Sequence, residues 1–178
     1  MRIDLKWPVV IIALLLTLAM VYTLNYWRHQ HLIKEPLKEA LLEIEEVECV
    51  DISNNKNNIE VLVTLNQTED LSQTYGEIEE IMLSTYAENS FKVILVDNRN
   101  TYLESLYEEI HFAVMEGERL GNYTQMKKEI SCLLEQEKKL DSYLLRVDQK
   151  RIYLQLASKD GFLYEVIPLI SRTEVGHA

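Results

Sequence analysis

The sequence predicts an α+β protein: an N-terminal transmembrane helix, then an αββαβ module, two helices and a three-stranded antiparallel meander. Three observations predict it. The stretch "WPVVIIALLLTLAMVYTLNYW", Trp7 to Trp27, carries no charged residue. Apolar spacing in the remaining chain switches between helical and strand periods. Five Gly and three Pro among 178 residues leave little room for loops.

The apolar stretch comes first. Lys6 and Arg28 bracket 21 uncharged residues, which as a helix cover roughly 31 Å at about 1.5 Å per residue. That matches a bilayer hydrocarbon core of about 30 Å. A single helix satisfies its own backbone hydrogen bonds in lipid. Trp7 stands at one end and Tyr22, Tyr26 and Trp27 at the other, where amphipathic rings favour the headgroup level. Pro8 falls in the first turn, where a missing N–H is tolerated. A cleavable signal would have an apolar region of only about 7–15 residues. Thr17-Leu18-Ala19 resembles a cut site, but Met20, Val21 and Leu24 continue the run past it. Retention as an anchor, residues 7–27 behind a leader of residues 1–6, is therefore expected. Arg2 and Lys6 precede the span; Arg28, Lys34 and Lys38 follow it. The charge comparison nearly ties, but a long domain translocates largely regardless of charge. The expected place is a single-pass membrane protein with its domain outside the cytoplasm.

Beyond the anchor, residues 28–178 hold 16 of the 18 Lys+Arg and 28 of the 29 Asp+Glu. Such an acidic domain repels phosphate backbones and anionic headgroups, which argues against nucleic acid as a partner. Solubility is the simpler reading of the charge. Residues 28–46 read as a juxtamembrane segment and a helix, with Leu37, Leu41, Leu42 and Ile44 at helical spacing after Pro36. Residues 47–100 read as ββαβ. In "VECVDISNN" and "IEVLVTLN" a hairpin is expected, with Ile59, Val61, Val63 and Leu65 on one face and "NNKNN" at the turn. Asp70 marks a helix start, and Leu71, Tyr75, Ile78, Met82 and Thr85 form its stripe to about Asn89. "FKVILVDN" is apolar on both faces, as in a strand covered on both sides.

Residues 101–140 read as helical. Thr101 with Glu104 makes a capping box. Leu103, Leu106, Ile110, Ala113, Gly117 and Leu120 keep one phase; Met126, Ile130, Leu133 and Leu140 keep another. Gly121 suits the left-handed end of the first helix, and Asn122 with Gln125 can cap the second. In residues 141–170, "SYLLRVD", "RIYLQLA" and "GFLYEVIPL" form the meander. Residues 171–178 read as a flexible tail. Over residues 36–98 the element order resembles in outline the ring-building motifs of bacterial sporulation and secretion assemblies. It is similar also to the dimerisation domain of cation-diffusion-facilitator transporters. The resemblance implies a module that lines up or dimerises beside a membrane.

No catalytic set assembles from the sequence, so no enzyme and no cofactor is expected. Glu108-x-x-His111 has a di-iron spacing, but such centres need a second copy and two further Glu. His111 borders the apolar stripe, so a hydrogen-bonded, partly buried ring is the simpler reading. His29 and His31 can titrate near neutral pH beside the membrane; His177 lies in the tail. Cys132 and His111 could pair as nucleophile and base, yet Glu129 and Glu135 would raise a nearby thiol's pKa. Cys49 and Cys132 read as small buried residues, with pairing open. Gly117-x-x-x-Gly121 permits close helix approach. Tyr143, Tyr153 and Tyr164 put one tyrosine on each meander strand, as half-buried strand residues or as interface anchors. Asn66-x-Thr68 and Asn122-x-Thr124 match a glycosylation sequon. Strands 58–65 and 161–169 are candidate sheet edges, and Glu60, Leu62 and Thr64 are the first candidate interaction residues. The expected role is protein–protein contact at the membrane, with the chain itself or another membrane-associated protein as partner and lipid around the anchor. The alternative is a tethered ligand-sensing module with a pocket between its halves.

Overall fold

The computed structural model describes residues 7–29, 34–55 and 58–170. They form an α+β structure of five helices and two three-stranded sheets. The helices are α1 (Trp7–His29), α2 (Glu35–Leu42), α3 (Leu71–Thr85), α4 (Thr101–Leu120) and α5 (Tyr123–Leu134). The strands are β1 (Val47–Asn55), β2 (Asn58–Leu65), β3 (Phe91–Val96), β4 (Leu140–Val147), β5 (Arg151–Ser158) and β6 (Gly161–Pro168). His31, His177 and the tail fall outside the described residues.

Trp7, Pro8, Tyr22, Tyr26 and Trp27 all belong to α1, one 23-residue helix. Twelve of its large side chains, from Trp7 to Leu24, stand 44–74% exposed. Its hydroxyls turn inward: Thr17 donates to the Leu14 carbonyl at 2.8 Å, and Thr23 to that of Met20 at 2.9 Å. Among the described residues no helix is long and apolar enough to cross a membrane.

In the first sheet β2 is central, antiparallel to β1 and parallel to β3. This corrects the expectation of a free edge at 58–65: the crossover through α3 lays β3 against β2, so the ladder closes on both sides. The alternation read at Ile59–Leu65 survives, with Val61, Val63 and Leu65 buried. They pack with Leu37 and Leu41 from α2, Ile44 from the turn after it, and Leu71, Tyr75, Ile78 and Met82 from α3. At roughly 1.5–3 kcal/mol per fully buried aliphatic side chain, this layer holds the module together. The strand at 91–96 is not covered on both sides: Lys92 and Val96 are exposed and none of its residues is buried. Its apolar character exceeds the cover that the described residues supply. Both early helices stop short of their sequence bounds, α2 at Leu42 and α3 at Thr85. Asp70 caps α3 through its carboxylate, which accepts from Ser72 N at 3.1 Å.

The second layer is the α4–α5 hairpin on the β4-β5-β6 meander. Leu103, Leu106, Ile110, Val114, Met126, Ile130 and Leu134 meet Ile152, Leu154, Leu156 and Leu163. The stripe slips by one at two places: Val114 is buried instead of Ala113, and Leu134 instead of Leu133. The capping box is displaced too. Asn100, not Thr101, caps α4, its Oδ1 accepting from Leu103 N at 2.9 Å. Gly121 ends α4 at φ 65°, in the left-handed region. Asn122 makes no side-chain cap, and the Gln125 side chain bonds Glu129 instead of reaching back. At Gly117 an added Cβ would come within 2.5 Å of Met126 Cβ, so the glycine sets the hairpin's closeness.

The two layers share a junction. Tyr153 and Tyr164, from β5 and β6, are buried in the first core. The Tyr164 hydroxyl accepts from Thr68 N at 2.8 Å and donates to the Asn66 carbonyl at 3.3 Å. Gln155 receives Leu71 N at 3.1 Å and donates to the Thr68 carbonyl at 2.6 Å. Arg151 reaches across to Glu79 with a bidentate pair, one arm at 2.8 Å, and stacks over Tyr75 at 4.9 Å.

Candidate interaction surface

Period-two alternation places Glu60, Leu62 and Thr64 on the face of β2 opposite the core. They are not edge residues, but their side chains share one sheet face. The register sets Cys49, Thr64 and Val96 in one row; Asp51, Leu62 and Ile94 in the next; Ser53, Glu60 and Lys92 in the third. Among the described residues no helix or strand covers this face. None of the nine is buried, and neither Leu62 nor Ile94 joins either core. Leu62, Ile94, Val96 and Cys49 make its apolar centre; Asp51, Glu60 and Lys92 rim it. A single layer of helices cannot cover both sides of a sheet, and α4–α5 are taken by the meander.

The other candidate edge, at 161–169, does lie at a sheet edge, since β6 is outermost. It is nevertheless closed. Phe162 N donates to the Asn98 carbonyl at 3.0 Å and Tyr164 N to the Asp97 carboxylate at 2.7 Å. Pro168, on the same period, has no N–H to offer. The segment after β3 therefore occupies the edge that a partner strand would need. Asp97, its side chain 2% exposed, also takes two bonds from Arg99 at 2.8 Å, and Arg99 bonds Glu165 at 3.0 Å. Asp97 beside the guanidinium holds Arg99 above its usual pKa. This clamp was invisible in the sequence. Asp97 and Tyr164 are 67 positions apart, and "DNRN" reads as a plain loop.

The remaining sequence candidates are structural or separate. His111 Nδ1 lies 3.2 Å from the Tyr107 hydroxyl, with Phe112 against its other side at 6.1 Å. Burial pushes the Tyr107 hydroxyl up to about 12. Cys132 Sγ accepts from Gln136 at 3.8 Å and His111 bonds Tyr107, with no hydrogen bond between the two among the described residues. Cys49 and Cys132 are both free and exposed, correcting the expectation of buried thiols. Tyr143 is half-buried, whereas Tyr153 and Tyr164 are junction residues. Burial raises the pKa of both, that of Tyr153 to about 12. The space between the halves is filled by these rings and hydrogen bonds. A small cleft of about 250 Å³ beside it is lined by Tyr75, Glu79 and Arg151, where the ion pair takes up the charged groups. Thr68 is buried and bonds Thr74 at 2.9 Å, so the first sequon's hydroxyl is engaged in the fold. Comparisons of the chain with protein families, with curated proteins and with solved structures found no match.

Proposed function

We propose that the protein is a membrane-tethered contact module: α1 anchors it as a single span, and the open face of the first sheet binds a second copy of the chain. The observation that carries the reading is that uncovered face, apolar at its centre and rimmed by both charge signs. Monomeric proteins rarely leave a contiguous apolar patch unused, and a two-fold interface needs only one self-complementary patch. The tether is supported by α1, whose described side chains carry no charge and are mostly apolar, and by Thr17 and Thr23, whose hydroxyls bond their own helix. Both suit lipid, where an unmet polar group is costly. Confinement to a plane raises encounter frequency, so a modest contact suffices. The domain sits outside the cytoplasm in this reading, with no catalytic role and no cofactor.

Cys49 supplies the test, because it sits in the outer row of the face. Mild oxidation of the full chain in native membranes is expected to give a disulfide-linked dimer. Cys49→Ser removes it and Cys132→Ser does not. A chain that stays monomeric with Cys49 reactive defeats the assembly reading. Fractionation with a mature N-terminus by mass spectrometry checks the anchor: a soluble species beginning near Met20 defeats it. A C-terminal topology reporter checks the side.

A further inference from the structure

A second surface lies along α4 and shares no residue with the open sheet face. Arg99, Glu104, Tyr107, Glu108, His111 and Phe112 line a groove of about 690 Å³. Phe112 is 79% exposed, the most exposed large apolar side chain among the described residues, with the exposed carboxylates Glu108, Glu109 and Glu116 around it on the helix. Tyr107, His111 and Phe112 stand edge to face in sequence, at 5.3 and 6.1 Å between centroids. The Tyr107–His111 hydrogen bond holds the first two rings in place. Glu104 and Glu108 are one turn apart and exposed, with no partner among the described residues. Arg99 adds no free charge, because Asp97 and Glu165 already hold it. Glu104 and Glu108 line the groove beside one guanidinium, and Asp97 and Glu165 behind it already offset that charge, so the groove's unpaired charge is negative.

We propose that this groove receives an arginine side chain from an exposed segment of a partner protein. Its negative excess selects a cation and rejects phosphate or carboxylate. The ring faces favour a planar, weakly hydrated cation that can stack, which is guanidinium before ammonium. Two carboxylates a turn apart suit a forked donor. A lone acidic stripe would attract any cation equally; the exposed Phe112 beside it gives the selection.

The full chain, in micelles of neutral detergent, is titrated at physiological salt into fluorescein-labelled hexa-arginine and hexa-lysine peptides, read by anisotropy. Saturable binding is expected, tighter for arginine. Phe112→Ala and the pair Glu104→Gln/Glu108→Gln should each weaken it about tenfold, while Phe112→Tyr retains it. The pair Glu45→Gln/Glu80→Gln removes the same charge from exposed sites elsewhere and should leave binding unchanged. Equal loss in that control reduces the effect to general attraction and overturns the proposal. So does absence of saturable binding, or equal affinity for hexa-lysine. Displacement of hexa-arginine by equimolar spermidine would assign the groove to small polyamines and overturn the protein partner.

Discussion

Glu79 and Arg151 show what one residue pair does for the junction between the layers. Their side chains are 17% and 18% exposed, so the pair is screened less than a surface bridge. The hydrogen bond from Arg151 chiefly holds Glu79 below its usual carboxylate range, against the burial that pushes it up. Its folded pKa lies below its unfolded value, so its stabilisation is present above about pH 4.3. It is lost as pH falls through the folded value. Glu79→Gln is expected to cost about 1.5–3 kcal/mol at pH 7, and the gap from the parent should close below about pH 4. Urea unfolding at both pH values checks it. Asp97 is the other residue of this kind: it ties Arg99 and Tyr164 N while nearly fully buried. Asp97→Ala leaves Arg99 with Glu165 as its remaining carboxylate and Tyr164 N without its acceptor and should cost about 1–3 kcal/mol, read by the same titration.

At the scale of elements, order and type were legible because each carries a local signal. The stripes of α3 and α4, the turn residue Gly121 and the alternation of β2 all act within a few positions. What was not legible was pairing. Nothing local says that the chain would lay β3 along β2 in parallel; that follows from the crossover through α3. The burial of β2 on both ladder sides changes how its residues can be probed. Thr64→Pro removes an N–H from a central strand and should unfold the module. Leu62→Lys keeps the ladder and alters only the open face. Circular dichroism is expected to report a folded Leu62→Lys that no longer crosslinks, and an unfolded Thr64→Pro. Between helices, Gly117→Ala pushes a methyl onto Met126 and should cost about 1–3 kcal/mol, as a lowered melting midpoint.

For the whole molecule, the two cores are coupled. Tyr153 and Tyr164 belong to the meander but complete the first core, and Gln155 serves the loop before α3. One cooperative transition is therefore expected, with near-ultraviolet dichroism and backbone dichroism coinciding in urea. Two separated midpoints would show independent layers. The interaction surface was half legible at this scale. Glu60, Leu62 and Thr64 were singled out by lying opposite a clean apolar stripe, and they do share an uncovered face. Their setting was misread as an edge, since edges are a property of the assembled sheet. The clamp that closes β6 was beyond reach, because it joins positions dozens of residues apart; the groove along α4 is local, residues 99–112, but which helix face stays uncovered is settled only by packing.

The completion of the first core by the last strands bears on synthesis at the ribosome. The chain emerges N-terminus first, so the β1-β2-β3 sheet and its helices leave the exit tunnel long before Tyr153 and Tyr164 do. Until then Thr68 N lacks the Tyr164 hydroxyl and the cap of α3 lacks Gln155. An arrested nascent chain ending near residue 140 is expected to be digested readily by added protease at residues 66–71. One with all 178 residues clear of the tunnel should resist.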